Sequence, residues 1–261
     1  MKRLNTTILS VAALIGSAAL TSCLGDSGTN RYYGSGIFTV EKTGTGYNLY
    51  NDGGGVVRPS AQSVTDLVGA SGFESGQRVA LDYTYEDNMF REEPGKGYYI
   101  DNVDLYQGQL IPNRAIMLKE EAESKNLLKD DSLFNIGTEI SIWAYRGYIS
   151  VRYNGIFSLV SAKGIWPTLN MVYDPDQNGA PNSLNLKMCY NRHTAKDAPQ
   201  SRQYFYNTFP LSAIGSLVSG NDSVNITVEG LGLEKPRTLR IGREDFFPGN
   251  YIYFANHPTK P

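Results

Sequence analysis

The sequence predicts an all-β protein in which a small N-terminal barrel is followed by a C-terminal antiparallel β-sandwich. Its composition favours this class, because the 261 residues include 18 tyrosines, 10 phenylalanines and 27 glycines. Aromatic side chains favour strands, and glycines favour the turns between them. Apolar residues also alternate with polar ones over short runs that end at turn residues, which is the pattern of antiparallel strands.

A candidate export signal occupies residues 1–22. Lys2 and Arg3 supply positive charge, an uncharged run with an apolar core follows, and small residues precede Cys23. This order is typical of a secretory signal peptide. The apolar core is shorter than the roughly 20 residues that a membrane-spanning helix needs. The sequence therefore predicts that residues 1–22 are removed and that residues 23–32 form a short polar tether.

The tetrad Leu20-Thr21-Ser22-Cys23 resembles the bacterial lipobox. The resemblance implies that the thiol of Cys23 is diacylated, that the chain is cut just before it, and that the new amine is acylated. One fatty chain anchors a protein only marginally, whereas two or three attach it firmly. Cys23 is thus the predicted lipidation site, and no cofactor other than this covalent lipid is predicted. The alternative is a plain secreted protein whose cleavage site falls near an unrelated cysteine.

The predicted anchor places the mature protein in the cell envelope, on the outer membrane. Surface export of such lipoproteins is associated with several acidic residues soon after the lipidated cysteine. The sequence offers only Asp26 there, so the periplasmic face is favoured over the cell surface. The 24 basic and 26 acidic residues give a net charge of −2 and form no basic stripe, which argues against nucleic acid as a partner. The predicted partners are the membrane, through the lipid, and an unidentified protein or glycan ligand.

The first β domain is predicted at residues 33–120. Alternating runs indicate strands at 36–41, 47–50, 56–58, 76–85, 98–106 and 114–118, with a helical turn at 63–68 and a charged loop at 86–96. The clearest strand places Val79, Leu81, Tyr83 and Tyr85 on one face, because successive side chains of a strand point to opposite faces. Short strands at such close spacing are typical of a small barrel.

The second β domain is predicted at residues 135–245, after an exposed linker at 121–134. The charge run 119–125 could form a short helix, but it lacks an apolar stripe and is therefore interpreted as part of an exposed linker. Strands are predicted at 139–145, 148–153, 169–173, 183–190, 203–209, 224–228 and 238–241, with a brief helix at 209–214. Alternating strands joined by short hairpins favour an antiparallel sandwich. Residues 246–261 form a C-terminal tail to which the pattern assigns no element.

Several short motifs occur together in this sequence. They are the lipobox, the glycine-rich hairpin 47–57, Gly76-Gln77-Arg78-Val79 at the start of a strand, the paired tyrosines before Asp101-Asn102-Val103, and the hairpin around Asp174. Together they resemble the NigD-like lipoproteins of Bacteroidetes. The resemblance spans nearly the whole mature chain. It implies an N-terminal OB-like barrel, a C-terminal β-sandwich and a link to a bacteriocin operon, and it carries over no catalytic or binding residues.

Residues 174–179 copy the first six positions of a calcium-binding loop. Asp174, Asp176 and Asn178 would supply oxygen ligands at positions one, three and five, with a glycine at position six for the sharp turn. The twelfth position, where a bidentate glutamate belongs, is Asn185. The same residue types suit a long hairpin connection. The plain turn is therefore favoured and no metal is predicted, with calcium as the alternative.

The sequence predicts a non-catalytic binding or accessory protein. It holds no Gly-x-Ser-x-Gly motif for serine catalysis. Acidic pairs such as Asp101 and Asp104 occur, but a glycosidase needs two carboxylates held at a defined separation. The alternative function is a glycan-acting hydrolase or a carbohydrate-binding surface lipoprotein.

Two further groups of residues are weighed for binding. Pairs of tyrosines such as 83 with 85 and 204 with 206 share a strand face and could stack on sugars, although core packing is the favoured explanation. The second cysteine, Cys189, is predicted to be a small buried hydrophobe. It lies four residues from His193, a distance of about 13 Å along a strand, so no zinc site is predicted.

Overall fold

Strands dominate the part of the chain that the computed structural model describes, and the predicted all-β class is confirmed. The described residues are 30–94, 97–128, 140–158, 166–177, 182–193, 200–218, 223–230, 233 and 235–242. Within them the chain forms fourteen β-strands, two short α-helices and three 3₁₀ helices. The strands form one six-stranded, one five-stranded and one three-stranded sheet.

The six-stranded sheet contains the N-terminal strands. They are β1 (Arg31–Lys42), β2 (Tyr47–Asn51), β3 (Val56–Pro59), β4 (Arg78–Glu86), β5 (Phe90–Glu93) and β6 (Gly97–Ile111). β3 pairs with β2 on one side and with β6 on the other, while β4 joins β6 back to β1. Five of the strands therefore close into a ring, hereafter the five-strand ring, and β5 extends the sheet from β6. The OB-like name for this ring stays a prediction.

The interior of the five-strand ring is filled by the side chains that the period-two pattern assigns to one face. Val79 and Leu81 of β4 are buried there with Phe38 of β1 and Val103 of β6. Burying each such side chain contributes about 1.5–3 kcal/mol. Helix α1 (Ala61–Val68) adds Val64 to this core. It follows β3 at the predicted helical turn.

Helix α1 begins where the sequence offers a capping serine. The side chain of Ser60 accepts a hydrogen bond from the backbone N–H of Ser63, at 3.2 Å, which satisfies one of the free donors of the first turn. The helix ends at Gly69, whose φ of 81° is a backbone conformation that side chains disfavour. The helix packs against β6 and leads back to the ring at β4.

The remaining strands form two sheets. They are β7 (Ile116–Leu118), β8 (Ser141–Tyr145), β9 (Tyr148–Ser158), β10 (Thr168–Tyr173), β11 (Ser183–Asn191), β12 (Gln200–Pro210), β13 (Ser223–Gly230) and β14 (Arg237–Gly242). One sheet has the order β14-β13-β11-β10-β7 and the other has the order β12-β9-β8. Buried side chains from both sheets share one core, among them Val151, Phe209, Met171 and Ile226. This is the layered arrangement expected of a sandwich.

The predicted sandwich needs one correction, because two of its strand pairings are parallel. β11 pairs with β13 in parallel, and β7 pairs with β10 in parallel. The strands in each parallel pair are not joined by a hairpin, and only hairpin neighbours are constrained to run antiparallel. The hairpin pairs β8–β9, β10–β11 and β13–β14 are antiparallel as predicted.

The change from the first sheet to the second lies earlier than the predicted linker at 121–134. β7, inside the predicted first domain 33–120, pairs with β10 and buries Ile116 in the second core. The following charge run forms the short helix α2 (Lys119–Ser124), most of whose residues are exposed. The charge run has one apolar contact, because Ala122 is fully buried against Val172 and Cys189.

The short segment 112–114, between β6 and β7, is hydrogen-bonded to β12. The backbone N–H of Arg114 donates to the carbonyl of Thr208 at 2.8 Å, and the N–H of Thr208 donates to the carbonyl of Pro112 at 3.1 Å. The side chain of Arg114 also donates to Asn207 at 3.0 Å. The connection therefore runs as a paired strand segment and not as a free linker.

Candidate functional site

Two of the predicted site residues, Cys23 and Asn178, lie outside the described residues. The same holds for the predicted signal peptide 1–22 and the tail 246–261. The lipidation site therefore stays a prediction. The residues that follow are those whose placement the structure describes.

The loop after β10 is held by its own hydrogen bonds and by a lysine. Lys119 Nζ donates to Asp174 Oδ2 at 2.8 Å, and the backbone N–H of Asp176 donates to Asp174 Oδ1 at 3.1 Å. The hydrogen bond from Lys119 lowers the pKa of Asp174. Asn185 Nδ2 donates to the carbonyl of Gln177 at 2.6 Å. Both oxygens of Asp174 thus already accept hydrogen bonds, which is the arrangement of a turn. The calcium alternative stays a prediction.

Two small cavities lie among the described residues. One, of about 190 Å³, lies beside this loop, and the other, of about 200 Å³, lies between β7 and the 3₁₀ helix Leu211–Val218. The first is lined by Lys119, Leu128, Val172, Asp174, Gln177, Asn185, Leu186, Lys187 and Glu229. Small-molecule pockets have volumes of about 300–1,000 Å³, so both cavities are below the usual size.

The carboxylates considered for catalysis bind arginines of the same chain. Asp101 accepts hydrogen bonds from Arg58, at 2.9 Å, and from Arg91. Asp104 lies 3.5 Å from Arg31. Each of these carboxylates therefore has an intramolecular cation beside it.

The structure does not bring Cys189 and His193 together as ligands. Cys189 is fully buried on β11, as predicted for a small hydrophobe. His193 is exposed, and its Nε2 lies 2.8 Å from the hydroxyl of Thr168. No group of three or more histidine, cysteine, aspartate or glutamate side chains placed to hold a metal occurs among the residues that the structure describes.

Of the two tyrosine pairs, only Tyr83 is buried in the core, whereas Tyr85, Tyr204 and Tyr206 are half-buried. Tyr83 is only 4 % exposed and packs edge to face with Phe38 at 6.0 Å between ring centroids, so core packing is confirmed for it. Tyr85 is half-buried and stacks on Tyr32 at 5.4 Å. In the other pair, the guanidinium of Arg152 lies 4.0 Å from the ring centroid of Tyr204. Tyr83, Tyr85 and Tyr204 therefore each have an aromatic or cationic partner within the chain.

The outer face of the five-strand ring carries two strongly exposed tyrosines that the sequence analysis did not single out. Tyr33 of β1 is 71 % exposed and Tyr106 of β6 is 54 % exposed. Their ring centroids are 6.4 Å apart, and the ring planes are nearly perpendicular, at 83°. Exposed aromatic residues in contact with one another are typical of binding surfaces.

Asp82 of β4 completes this surface, which we call the tyrosine face and define as Tyr33, Asp82 and Tyr106. Asp82 is paired with Ser35 on β1 and with Gln107 on β6. Tyr33 is two residues before Ser35 and Tyr106 is one residue before Gln107, so Asp82 occupies a strand position next to both tyrosines. Its carboxylate makes no hydrogen bond or ion pair with any other described residue. Partial burial raises the pKa of Asp82, and burial followed by the charge of Asp82 raises the pKa of Tyr106.

The tyrosine face depends on a bulge that the sequence does not reveal. The register between β4 and β6 shifts between Asp82 and Tyr83, so that Asp82 pairs with Gln107 while Tyr83 pairs with Leu105. Tyr106 is the extra residue at this point, and a bulge of this kind redirects a side chain. The period-two pattern of β4 could have placed Asp82 outward, since it predicted Leu81 and Tyr83 inward.

A second polar cluster joins the ring to the hairpin β8–β9. Arg78 begins β4, and its side chain is fully buried. It donates to both carboxylate oxygens of Asp52, to the hydroxyl of Thr39 at 2.7 Å and to the hydroxyl of Ser150 at 3.0 Å. Trp143 Nε1 donates to Asp52 Oδ2 at 2.7 Å. We call Asp52, Arg78, Trp143 and Ser150 the junction cluster.

Two of the short family-like motifs meet in the junction cluster. Asp52 lies in the glycine-rich hairpin 47–57, and Arg78 lies in Gly76-Gln77-Arg78-Val79. The carbonyl of Gly76 also accepts a hydrogen bond from the hydroxyl of Tyr148, at 2.8 Å. These motifs therefore have a structural role, because they hold the two parts of the chain together.

No helix among the described residues is long and apolar enough to cross a membrane.

Comparisons with known proteins find the fold in solved structures from Bacteroides. No family model and no curated protein matches the sequence. A protein of unknown function, DUF1344, from Bacteroides vulgatus is 17 % identical, with a TM-score of 0.52 over 80 % of this chain and 90 % of that one. A candidate lipoprotein from Bacteroides fragilis is 13 % identical, with a TM-score of 0.55 over 80 % and 98 %.

A NigD-like immunity protein from Bacteroides caccae is also among the structural neighbours, at 13 % identity and a TM-score of 0.47 over 81 % of this chain and 91 % of that one. At these identities the likenesses show the fold alone.

Proposed function

We propose that the protein is a lipid-anchored cell-envelope lipoprotein that acts as a non-catalytic binding or accessory module, with the tyrosine face as its docking surface. The observation that carries the proposal is the exposed contact between Tyr33 and Tyr106, on a surface where the carboxylate of Asp82 makes no hydrogen bond or ion pair with any other residue that the structure describes. Exposed aromatic rings and a partly desolvated charge both lower stability or solubility, so their presence together favours a role in binding.

The anchor in this proposal is the lipid on Cys23. The chain from Cys23 to the first strand is short, because β1 begins at Arg31 and Tyr33 is its third residue. The docking surface would therefore stay close to the membrane, on the periplasmic face of the outer membrane. A partner at this position would be a protein or a glycan of the envelope. The resemblance to the NigD-like lipoproteins adds a link to bacteriocin systems.

The alternative is a glycan-acting hydrolase or a carbohydrate-binding surface lipoprotein. Exposed tyrosine rings favour it to the extent that sugars stack on aromatic faces. A hydrolase would also need two carboxylates held at a defined separation. Asp101 and Asp104, the pair considered from the sequence, each lie beside an arginine.

The anchor is tested by labelling cells with an alkyne-tagged fatty acid. We expect the wild-type protein to carry the label and the Cys23→Ser variant to lack it. Equal labelling of the two chains would contradict the assignment of Cys23.

Binding is tested by placing a photo-reactive benzoylphenylalanine at Tyr106 in the full chain, in its own cells. Irradiation should give a defined higher-mass adduct. The same group placed at Thr65, which is exposed on α1, is the matched control and should give none. A protein adduct would support a protein partner, and a glycan adduct would support the carbohydrate alternative. Absence of any adduct at Tyr106, or the same adducts from both positions, would count against docking at the tyrosine face.

A further inference from the structure

The perpendicular arrangement of Tyr33 and Tyr106 limits which chemical groups fit between them. Their planes meet at 83° and their centroids are 6.4 Å apart, so the two rings form a corner. A cation is attracted to an aromatic face within about 6 Å of the ring centroid, and a compact cation in the corner would meet this distance for both rings. A pyranose ring, by contrast, stacks on a single flat aromatic face rather than between two perpendicular rings.

Asp82 supplies the charge that a cation in this corner would need. Its carboxylate is partly desolvated and has no hydrogen-bond or ion-pair partner among the described residues. Arg31 is the cation that lies on the neighbouring part of β1. Its guanidinium donates to Thr84 Oγ1 at 2.8 Å and lies 3.5 Å from Asp104, so it is held by other groups and does not neutralise Asp82.

The same protein contains two complete examples of this chemistry. Arg58 lies 5.3 Å from the ring centroid of Tyr99 and donates to Asp101 at 2.9 Å. Arg78 lies 5.2 Å from the ring centroid of Tyr148 and pairs with Asp52. In each example a guanidinium contacts a tyrosine face and a carboxylate at once. The tyrosine face presents the ring and carboxylate parts of this constellation on the protein surface.

From this geometry we propose that the tyrosine face binds a cationic side chain, a lysine ammonium or an arginine guanidinium, presented by a protein partner. The cation lies in the corner between Tyr33 and Tyr106 and pairs with Asp82. The inference deepens the proposed binding function and rests on it. It selects a basic protein segment over a glycan, because the corner shape and the unpaired negative charge both suit a compact cation.

The test uses the mature chain beginning at Cys23, purified in detergent and labelled with ¹³C on its tyrosine rings. The probe is the peptide acetyl-(Gly-Lys)₃-amide, and its matched neutral control is the same peptide with acetyl-lysine at each lysine. Ring resonances of Tyr33 and Tyr106 are followed during titration. We expect saturable shifts at these two rings with the lysine peptide and none with the acetylated peptide.

Variants separate the specific site from general attraction to an acidic protein. We expect Asp82→Asn and Tyr106→Leu each to raise the dissociation constant by about two- to fivefold, which is the range for an exposed ion pair or cation–π contact. Asp66→Asn removes the same charge from the exposed surface of α1 and should leave the constant unchanged. Far-UV circular dichroism confirms that each variant is folded.

Three results would overturn the inference. They are equal binding of the lysine and acetyl-lysine peptides, equal effects of Asp82→Asn and Asp66→Asn, and shifts of the two rings by cellohexaose but not by the lysine peptide. The last result would redirect the site to glycans. A chain that is lipidated and cross-links through position 106, yet does not distinguish lysine from acetyl-lysine, would fail this inference while keeping the proposed function.

Discussion

Replacing Asp52 with asparagine should strongly destabilise the protein, because Asp52 is the only described carboxylate that balances the charge of Arg78 in the junction cluster. Asp52 accepts two hydrogen bonds from Arg78 and one, at 2.7 Å, from Trp143. The side chain of Arg78 is 0 % exposed and that of Asp52 is 10 % exposed. In Asp52→Asn the amide oxygen still accepts, but the amide nitrogen must face a donor of Arg78 or Trp143.

The expected cost follows from the burial of the remaining charge. Removing one partner of a buried ion pair costs about 3–5 kcal/mol, because the other charge is left uncompensated away from water. In a domain of about 150–250 residues, each 1 kcal/mol corresponds to about 2–4 °C in the melting temperature. Asp52→Asn should therefore lower the melting temperature by about 6–20 °C. Ser150 and Thr39 still accept from Arg78, which favours the lower half of the range.

The measurement is urea unfolding of the mature chain, followed by far-UV circular dichroism with a matched surface control. Asp104→Asn breaks an ion pair in which both side chains are about 60 % exposed, with 3.5 Å between the charged atoms. Exposed pairs contribute about 0–1 kcal/mol, so the control should move the free energy of unfolding by less than 1 kcal/mol. If Asp52→Asn costs no more than Asp104→Asn, the junction cluster does not hold the two parts of the chain together as argued.

Four further predictions concern single groups. Partial burial raises the pKa of Asp82 above its ordinary 3.8, so the ionised carboxylate opposes folding above pH 3.8. Asp82→Asn should therefore raise the free energy of unfolding at pH 7 by up to about 0.5 kcal/mol. This increase should vanish below pH 3.8, where the carboxyl is protonated. Burial, and then the hydrogen bond to Glu41, raises the pKa of Tyr50 from 10.0 to about 12. The contribution of this hydroxyl to stability is therefore full below pH 10 and is lost as the pH rises to about 12. Over that pH range the urea midpoint of Tyr50→Phe should fall less steeply than that of the wild type, and equal slopes would contradict this. Millimolar calcium should leave the melting temperature unchanged, because both oxygens of Asp174 accept hydrogen bonds; a rise that Asp174→Asn abolishes would instead establish the calcium site. The thiol of Cys189 is 0 % exposed and should react with Ellman's reagent only after unfolding, whereas rapid reaction of the native chain would place it at the surface.

The strands were predictable because their information is local. Alternation in 76–85 and 183–190 identifies β4 and β11 to within a few residues. β5 was missed because Phe90-Arg91-Glu92-Glu93 is mostly charged, and an edge strand with one described neighbour needs little apolar surface. The sheet to which a strand belongs is a non-local property, which is why the sequence pattern groups β7 with the strands before it although β7 pairs with β10.

The clusters that matter most for stability and binding depend on contacts far apart in the sequence. Asp52 and Trp143 are separated by 91 positions, and no spacing rule connects them. Tyr106 points outward through a bulge whose register depends on the partner strand β4. Short motifs did identify Arg78 and the hairpin around Asp52 as features of the chain, although their mutual contact required the structure.

Asp52 and Asp82 show how one residue type can serve stability at one site and binding at another. Both are carboxylates of the N-terminal ring, and both are partly or largely removed from water. Asp52 accepts from the buried guanidinium of Arg78 and from the partly buried indole of Trp143, so its charge is compensated and its replacement should destabilise the fold. Asp82 has no partner among the described residues, so its charge opposes folding and its replacement should stabilise the fold while weakening attraction for a cation. A carboxylate whose charge opposes folding adds nothing to stability, and this opposition of sign is why Asp82, rather than the better-connected acids, supports the proposal of a binding surface.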